Sequence, residues 1–125
     1  MNVINTPNAP AAIGPYSQGI RVGDLIFFSG QVPLDPATGQ IVGTEIVAQT
    51  KQVMKNIQAL LESQGLSFAN IAKTTVFLQS MKDFAAFNET YAAHLKAPYP
   101  ARSTVEVAAL PKAALVEIEC LVSVK

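Results

Sequence analysis

Residues 115 to 124 read Leu115-Val116-Glu117-Ile118-Glu119-Cys120-Leu121-Val122-Ser123-Val124, a run whose side chains alternate with a period of two. In an extended chain, Val116, Ile118, Cys120, Val122 and Val124 fall on one face and Glu117, Glu119, Leu121 and Ser123 on the other. The first face is expected to take helices. In the strand read before it, Ala101 to Val107, residues Ser103, Val105 and Val107 share one face while Arg102, Thr104 and Glu106 share the other. Antiparallel pairing of these strands across Leu110-Pro111-Lys112 would bring Arg102 and Glu117 into one neighbourhood, on the face without helices.

Upstream, a Pro-marked loop runs through Ile13-Gly14-Pro15, then Tyr16 to Val22 reads as a strand, Gly23-Asp24 as its turn and Leu25 to Val32 as its hairpin partner. Pro33 and Pro36 end that strand. From Thr44, the apolar residues Ile46, Val47, Val53, Met54, Ile57, Leu60 and Leu61 recur at helical steps, and Gly65 follows as a C-terminal cap. Ile71 to Leu78 reads as a strand. Asp83 is placed to cap a second helix carrying Phe84, Phe87, Tyr91 and Leu95, which Pro98 and Pro100 stop. The order is that of an α+β sheet backed by two helices on one face. Leu25-Ile26-Phe27-Phe28 is apolar at consecutive positions, as in a strand buried on both sides, yet two helices cover only one. A second copy of the chain is the simplest cover, so a homo-oligomer with polar sites lodged between subunits is expected.

The 125 residues are half apolar and carry nine basic and nine acidic side chains, one Cys and one His. That composition fits one domain over residues 1–125, large enough to need neither a disulfide nor a structural metal. A lone thiol and a lone imidazole cannot assemble a zinc ligand set. No basic leader precedes an apolar segment, and no apolar run approaches the ~18 residues of a membrane span, so a cytoplasmic protein without membrane contact is expected. Zero net charge and scattered cations argue against nucleic acid as a partner. The glycines form no phosphate-cradling pattern, so a dinucleotide cofactor is not expected.

Arg102 is one of only two arginines, and its planar fork could grip a carboxylate or pair with Glu117 or Glu119. Those two glutamates lie roughly 7 Å apart on one strand face, where they form either a solvated or interface surface or a pair containing a base with a raised pKa. His94 reads as a helix-surface residue, and Cys120 as a buried, inert thiol. Gly30, following Ser29, marks either a bulge or a place where a ligand meets the backbone.

The segments Gly14-Pro15-Tyr16-Ser17-Gln18-Gly19, Ser29-Gly30-Gln31, Lys73-Thr74-Thr75-Val76-Phe77, Phe87-Asn88-Glu89-Thr90-Tyr91, Pro100-Ala101-Arg102-Ser103, Leu110-Pro111 and Val116-Glu117-Ile118-Glu119 together closely resemble the Rid family (RidA, or YjgF-like) of reactive-intermediate deaminases. The resemblance covers nearly the whole chain. It implies a chorismate-mutase-like mixed sheet, a homotrimer whose sheets form a central barrel, and three clefts between subunits. It further implies cofactor-independent hydrolysis of enamine and imine intermediates, 2-aminoacrylate/2-iminopropanoate and 2-iminobutanoate, to a 2-keto acid and ammonia. On this resemblance Arg102 binds the substrate carboxylate, Tyr16, Ser29, Gly30 and Thr104 line the pocket with Asn88 nearby, and Glu117 positions or activates water. Thr104 stands where many members carry Cys, which leaves no thiol at that position, and the Lys96–Pro100 connection is shorter than in several relatives. Tyr99 then closes part of the pocket rim. A different class of function, a non-catalytic 2-keto-acid-binding regulatory module, would use the same clefts. An RNA-cleaving role, also credited to the family, is disfavoured by the charge balance.

Overall fold

The computed structural model describes all 125 residues. In chain order the elements are β1 (Asn2–Ile4), β2 (Gly19–Val22), β3 (Leu25–Gln31), α1 (Ile46–Glu62), β4 (Ile71–Leu78), α2 (Phe84–Ala93), β5 (Ala101–Glu106) and β6 (Val116–Ser123). Six strands form one mixed sheet in the order β1-β2-β3-β6-β4-β5. The expected α+β class is what the chain adopts. β6 lies between β3 and β4 and runs antiparallel to both, while β4 and β5 are parallel partners. The helices pack beside one another over the alternating apolar face: Val53, Met54, Ile57, Leu60 and Leu61 of α1 and Phe87 and Tyr91 of α2 meet Ile26, Val76, Val116, Ile118 and Val122 in one core.

Helix α1 begins where the Glu45 carboxylate accepts from the backbone N–H groups of Val47 and Ala48 at 3.0 and 2.8 Å, satisfying two otherwise unpaired donors at a positive helix end. It ends at the expected glycine. Gly65 has φ +71°, and Leu66 N–H returns to the Leu61 carbonyl at 3.0 Å, the bond that a left-handed residue past a helix end allows. At α2 the expectation differs in detail. The Asp83 side chain makes no capping bond because its backbone is already helical, closing a 3-10 turn (Met81–Asp83) whose own cap is Ser80, accepting from Lys82 N–H at 3.2 Å.

Two expectations are corrected. β5 does not pair with β6: α2 supplies the crossover that lays β5 parallel to β4, and β6 then pairs on the opposite edge of β4. The β1 strand was not anticipated, and its pairing partner β2 begins at Gly19 rather than Tyr16. The residue before it, Gln18, is buried, and its side chain accepts from Thr6 N–H at 2.7 Å and donates to the Thr6 and Pro10 carbonyls, holding this segment to the N-terminal loop. On β3, Ile26 and Phe28 are inside, whereas Leu25 and Phe27 are 40% and 49% exposed on the bare sheet face of the single chain, the face for which a second copy is the expected cover.

Ile118, fully enclosed at the centre of β6, ties the two halves of the sheet to the helices. Ile118→Ala should therefore cost about 2–5 kcal/mol in urea unfolding monitored by far-UV circular dichroism, at one fixed protein concentration.

Candidate functional site

The register between β3 and β6 shifts between Phe28 and Gln31, and Ser29 and Gly30 occupy the irregularity. A bulge of this kind bends the strand and leaves space beside its partner. Glu117 of β6 fills that space. A methyl group at Gly30 would collide with the Glu117 carboxylate, so only glycine lets the carboxylate lie against the β3 backbone. Ser29 is tied to the preceding loop twice, its N–H to the Gln18 carbonyl at 2.9 Å and its hydroxyl to the Ser17 carbonyl at 2.6 Å. The same loop presents Tyr16, half exposed, after a tight turn in which Tyr16 N–H meets the Gly14 carbonyl at 2.9 Å. Tyr16, Ser29, Gly30 and Glu117 line one cavity of about 780 Å³. Burial pushes the Glu117 carboxyl above its ordinary value of 4.5, and the neighbouring Glu119 charge adds to the shift.

Arg102 lies elsewhere. In the parallel register it sits beside Thr74, whose side chain points into the core, so Arg102 shares the helix face rather than the bare face. Its Nη1 donates to Asn88 Oδ1 at 2.6 Å, and its guanidinium carbon is 5.3 Å from the Tyr91 ring centre and 5.5 Å from that of Phe84. Arg102, Asn88, Tyr91 and Tyr99 line a second cavity of about 450 Å³. Thus the expected intrachain neighbourhood of Arg102 and Glu117 is absent, because β4 separates their strands and their side chains leave opposite faces of the sheet.

Of the sequence-selected residues, Tyr16, Ser29, Gly30 and Glu117 come together in one cavity, and Arg102 with Asn88 in the other. Thr104 lines neither, and its hydroxyl is buried without a hydrogen-bond partner. Cys120 is buried with its thiol pushed up to about 12, chiefly by desolvation, which keeps it protonated and inert. His94 turns Nδ1 to the Thr90 carbonyl at 2.9 Å at the end of α2, outside both cavities. Phe84 and Tyr91, read only as core from the sequence, also hold Arg102. The available signal was Asn88, a polar residue at helical spacing between those two aromatics. Lys112, also unanticipated, lines the Glu117 cavity and donates to the Gly39 carbonyl at 2.8 Å.

Two measurements check the Glu117 pocket. Gly30→Ala should displace the flexible Glu117 side chain from the β3 backbone at a cost of less than about 1 kcal/mol, a cost removed in the Gly30→Ala/Glu117→Ala double variant. A raised carboxyl pKa means the folded state binds more protons than the unfolded state, so this group's contribution to stability falls as pH rises from 4.5 through the raised value. Glu117→Gln should consequently match the wild type below that window and exceed it in stability above, as followed by thermal melts across pH.

Residues 6–124 match the protein family described as Endoribonuclease L-PSP. A RutC family protein of Pyrococcus horikoshii is 51% identical over 95% of this chain and 94% of its own length. The mouse 2-iminobutanoate/2-iminopropanoate deaminase is 48% identical over 95% of this chain and 88% of its own. Among solved structures, RidA from the Antarctic bacterium Psychrobacter sp. PAMC 21119 superposes with a TM-score of 0.94 at 44% identity, covering 98% of this chain and 99% of its own. Sequence identity, superposition and near-complete coverage agree, and the chain belongs to the Rid (YjgF) family.

Proposed function

We propose that this protein hydrolyses 2-imino acids to 2-keto acids and ammonia, at clefts formed where the Arg102 cavity of one copy meets the Glu117 cavity of the next. The observation that carries this reading is the division of the site: a fixed guanidinium on one sheet face and a carboxylate of raised pKa on the other, each lining an open cavity. Leu25, Phe27 and Val105, each at least 40% exposed, offer the apolar surface that a symmetric assembly would cover, and a homotrimer closes such contacts.

In this cleft Arg102 takes the substrate carboxylate bidentately. Asn88 orients Arg102 through its side-chain carbonyl. Tyr16, Ser29 and Gly30 shape the opposite wall. An enamine such as 2-aminoacrylate first tautomerises to 2-iminopropanoate. Water held by Glu117 then attacks the imine carbon: its oxygen bonds to carbon, the C=N π pair moves to nitrogen, and Glu117 accepts a water proton. Return of that proton to nitrogen completes the carbinolamine; transfer of its hydroxyl proton to nitrogen, through the same carboxylate, then lets the C–N bond break as the C=O bond forms, releasing ammonia and leaving pyruvate. 2-Iminobutanoate gives 2-oxobutanoate by the same steps. A carboxylate whose pKa is raised toward the working pH suits a group that must both take and return a proton. Fixing the carboxylate beside an oriented water replaces a bimolecular encounter. The balance of nine basic against nine acidic residues and the position of the one imidazole outside both cavities favour this small anionic substrate over RNA.

The test couples a serine/threonine dehydratase to semicarbazide trapping of the imine. Wild-type protein should divert imine to keto acid; Arg102→Ala should lose roughly a hundredfold in kcat/KM, and Glu117→Gln roughly 10²- to 10⁴-fold in kcat. Each variant alone is nearly inactive, but co-refolding equal amounts of the two should restore about a quarter of wild-type activity, since random pairing rebuilds that share of the sites. No restoration in a folded oligomer would place both residues in one subunit's site, and keto-acid binding without turnover would point to a regulatory module.

A further inference from the structure

We propose that Tyr91, anchored by Thr74, is a positioning residue that holds the Arg102 guanidinium ready for the substrate carboxylate, an inference that rests on the carboxylate-binding role given to Arg102 above. Thr74 stands directly beside Arg102 in the parallel register of β4 and β5. Its hydroxyl shares a hydrogen bond of 2.7 Å with the Tyr91 hydroxyl, and both side chains are buried, at 2% and 5% exposure. The ring so fixed lies 5.3 Å from the Arg102 guanidinium carbon and lines the same cavity.

Packing alone gives no reason for this pair. Phe and Val would fill nearly the same space without desolvating two hydroxyls, so the polar pair carries a cost that an apolar core would avoid. What the pair adds is direction. The Tyr91 hydroxyl tethers the far end of the ring to the strand next to Arg102, and the ring face then restrains a long side chain that would otherwise lose rotamer freedom each time it bound an anion. A phenol is uncharged at neutral pH, and burial pushes that of Tyr91 further up, so the ring restrains the guanidinium without an ion pair that would compete with the substrate. Asn88 fixes Nη1 from the side, and the Phe84 ring, 5.5 Å away, adds a second aromatic restraint.

The chain has only two arginines, Arg21 and Arg102, so side-chain Nε–H resonances of ¹⁵N-labelled protein report Arg102 beside an internal reference on the far side of the sheet order. Tyr91→Phe and the double variant Thr74→Val/Tyr91→Phe are compared with wild type. The double variant leaves neither hydroxyl orphaned and should regain thermal stability relative to Tyr91→Phe. If Tyr91 positions Arg102, the Arg102 Nε–H order parameter falls in both variants while that of Arg21 holds, and KM rises roughly threefold to tenfold with kcat within about twofold. Recovery of KM and of the Arg102 order parameter together with stability in the double variant would overturn the proposal, as would wild-type values in both variants. If wild-type protein turns over no imine, the deaminase reading falls; the Arg102 order parameter and the affinity for pyruvate then still uphold or overturn the positioning role.

Discussion

β6 is held between β3 and β4, antiparallel to each, and its strict alternation imposes two unlike faces on everything around it. Its inward residues Val116, Ile118, Cys120 and Val122 are nearly or wholly enclosed by α1 and α2. The same backbone must then turn Glu117, Glu119 and Leu121 toward the bare face, because a one-residue slip in register would exchange the two sets. The placement of a carboxylate on the outer face is thus a by-product of core formation. The hydrophobic core and the candidate site share one strand, and neither can move without the other.

Electrostatics divides along the same line. On the bare face, Glu117 lies against the Gly30 backbone, partly withdrawn from water and near Glu119, which makes its charged form less favourable. On the helix face, Arg102 is a cation held among a side-chain amide and two aromatic rings, with no carboxylate paired to it. Had the two groups met within one chain, they would have neutralised one another as an ion pair. On opposite faces neither has an ion-pair partner within the chain.

The local punctuation of the fold was legible from residue types. Gly65 terminates α1 because a left-handed residue is needed there, and the helical spacing of Val53, Met54, Ile57, Leu60 and Leu61 places them in the core as read. The period-two pattern of β6 and the inert character of Cys120 were equally plain. Gly30 was recognisable as a bulge, whereas the Glu117 carboxylate that lies against its backbone was not read from the sequence. β1 escaped notice because a three-residue strand carries no measurable alternation, and the early part of the expected β2 was lost to Gln18, whose side-chain bonds hold that stretch to the N-terminal loop.

By itself the sequence determined the α+β class and the core faces of the helices and of most strands, and it nominated candidate site residues, since these depend on side-chain type and on periods of two and 3.6. Which strand lies beside which was decided only in three dimensions. The antiparallel pairing assumed for β5 and β6 is locally reasonable, but the α2 crossover makes β5 a parallel partner of β4 and turns Arg102 to the helix side. No local pattern distinguishes those arrangements, because both satisfy the same alternation and differ only in long-range packing. For the same reason, the aromatic setting of Arg102 and the contact of Glu117 with Gly30 belong to the tertiary structure: each joins residues brought together by the sheet, not by their spacing along the chain.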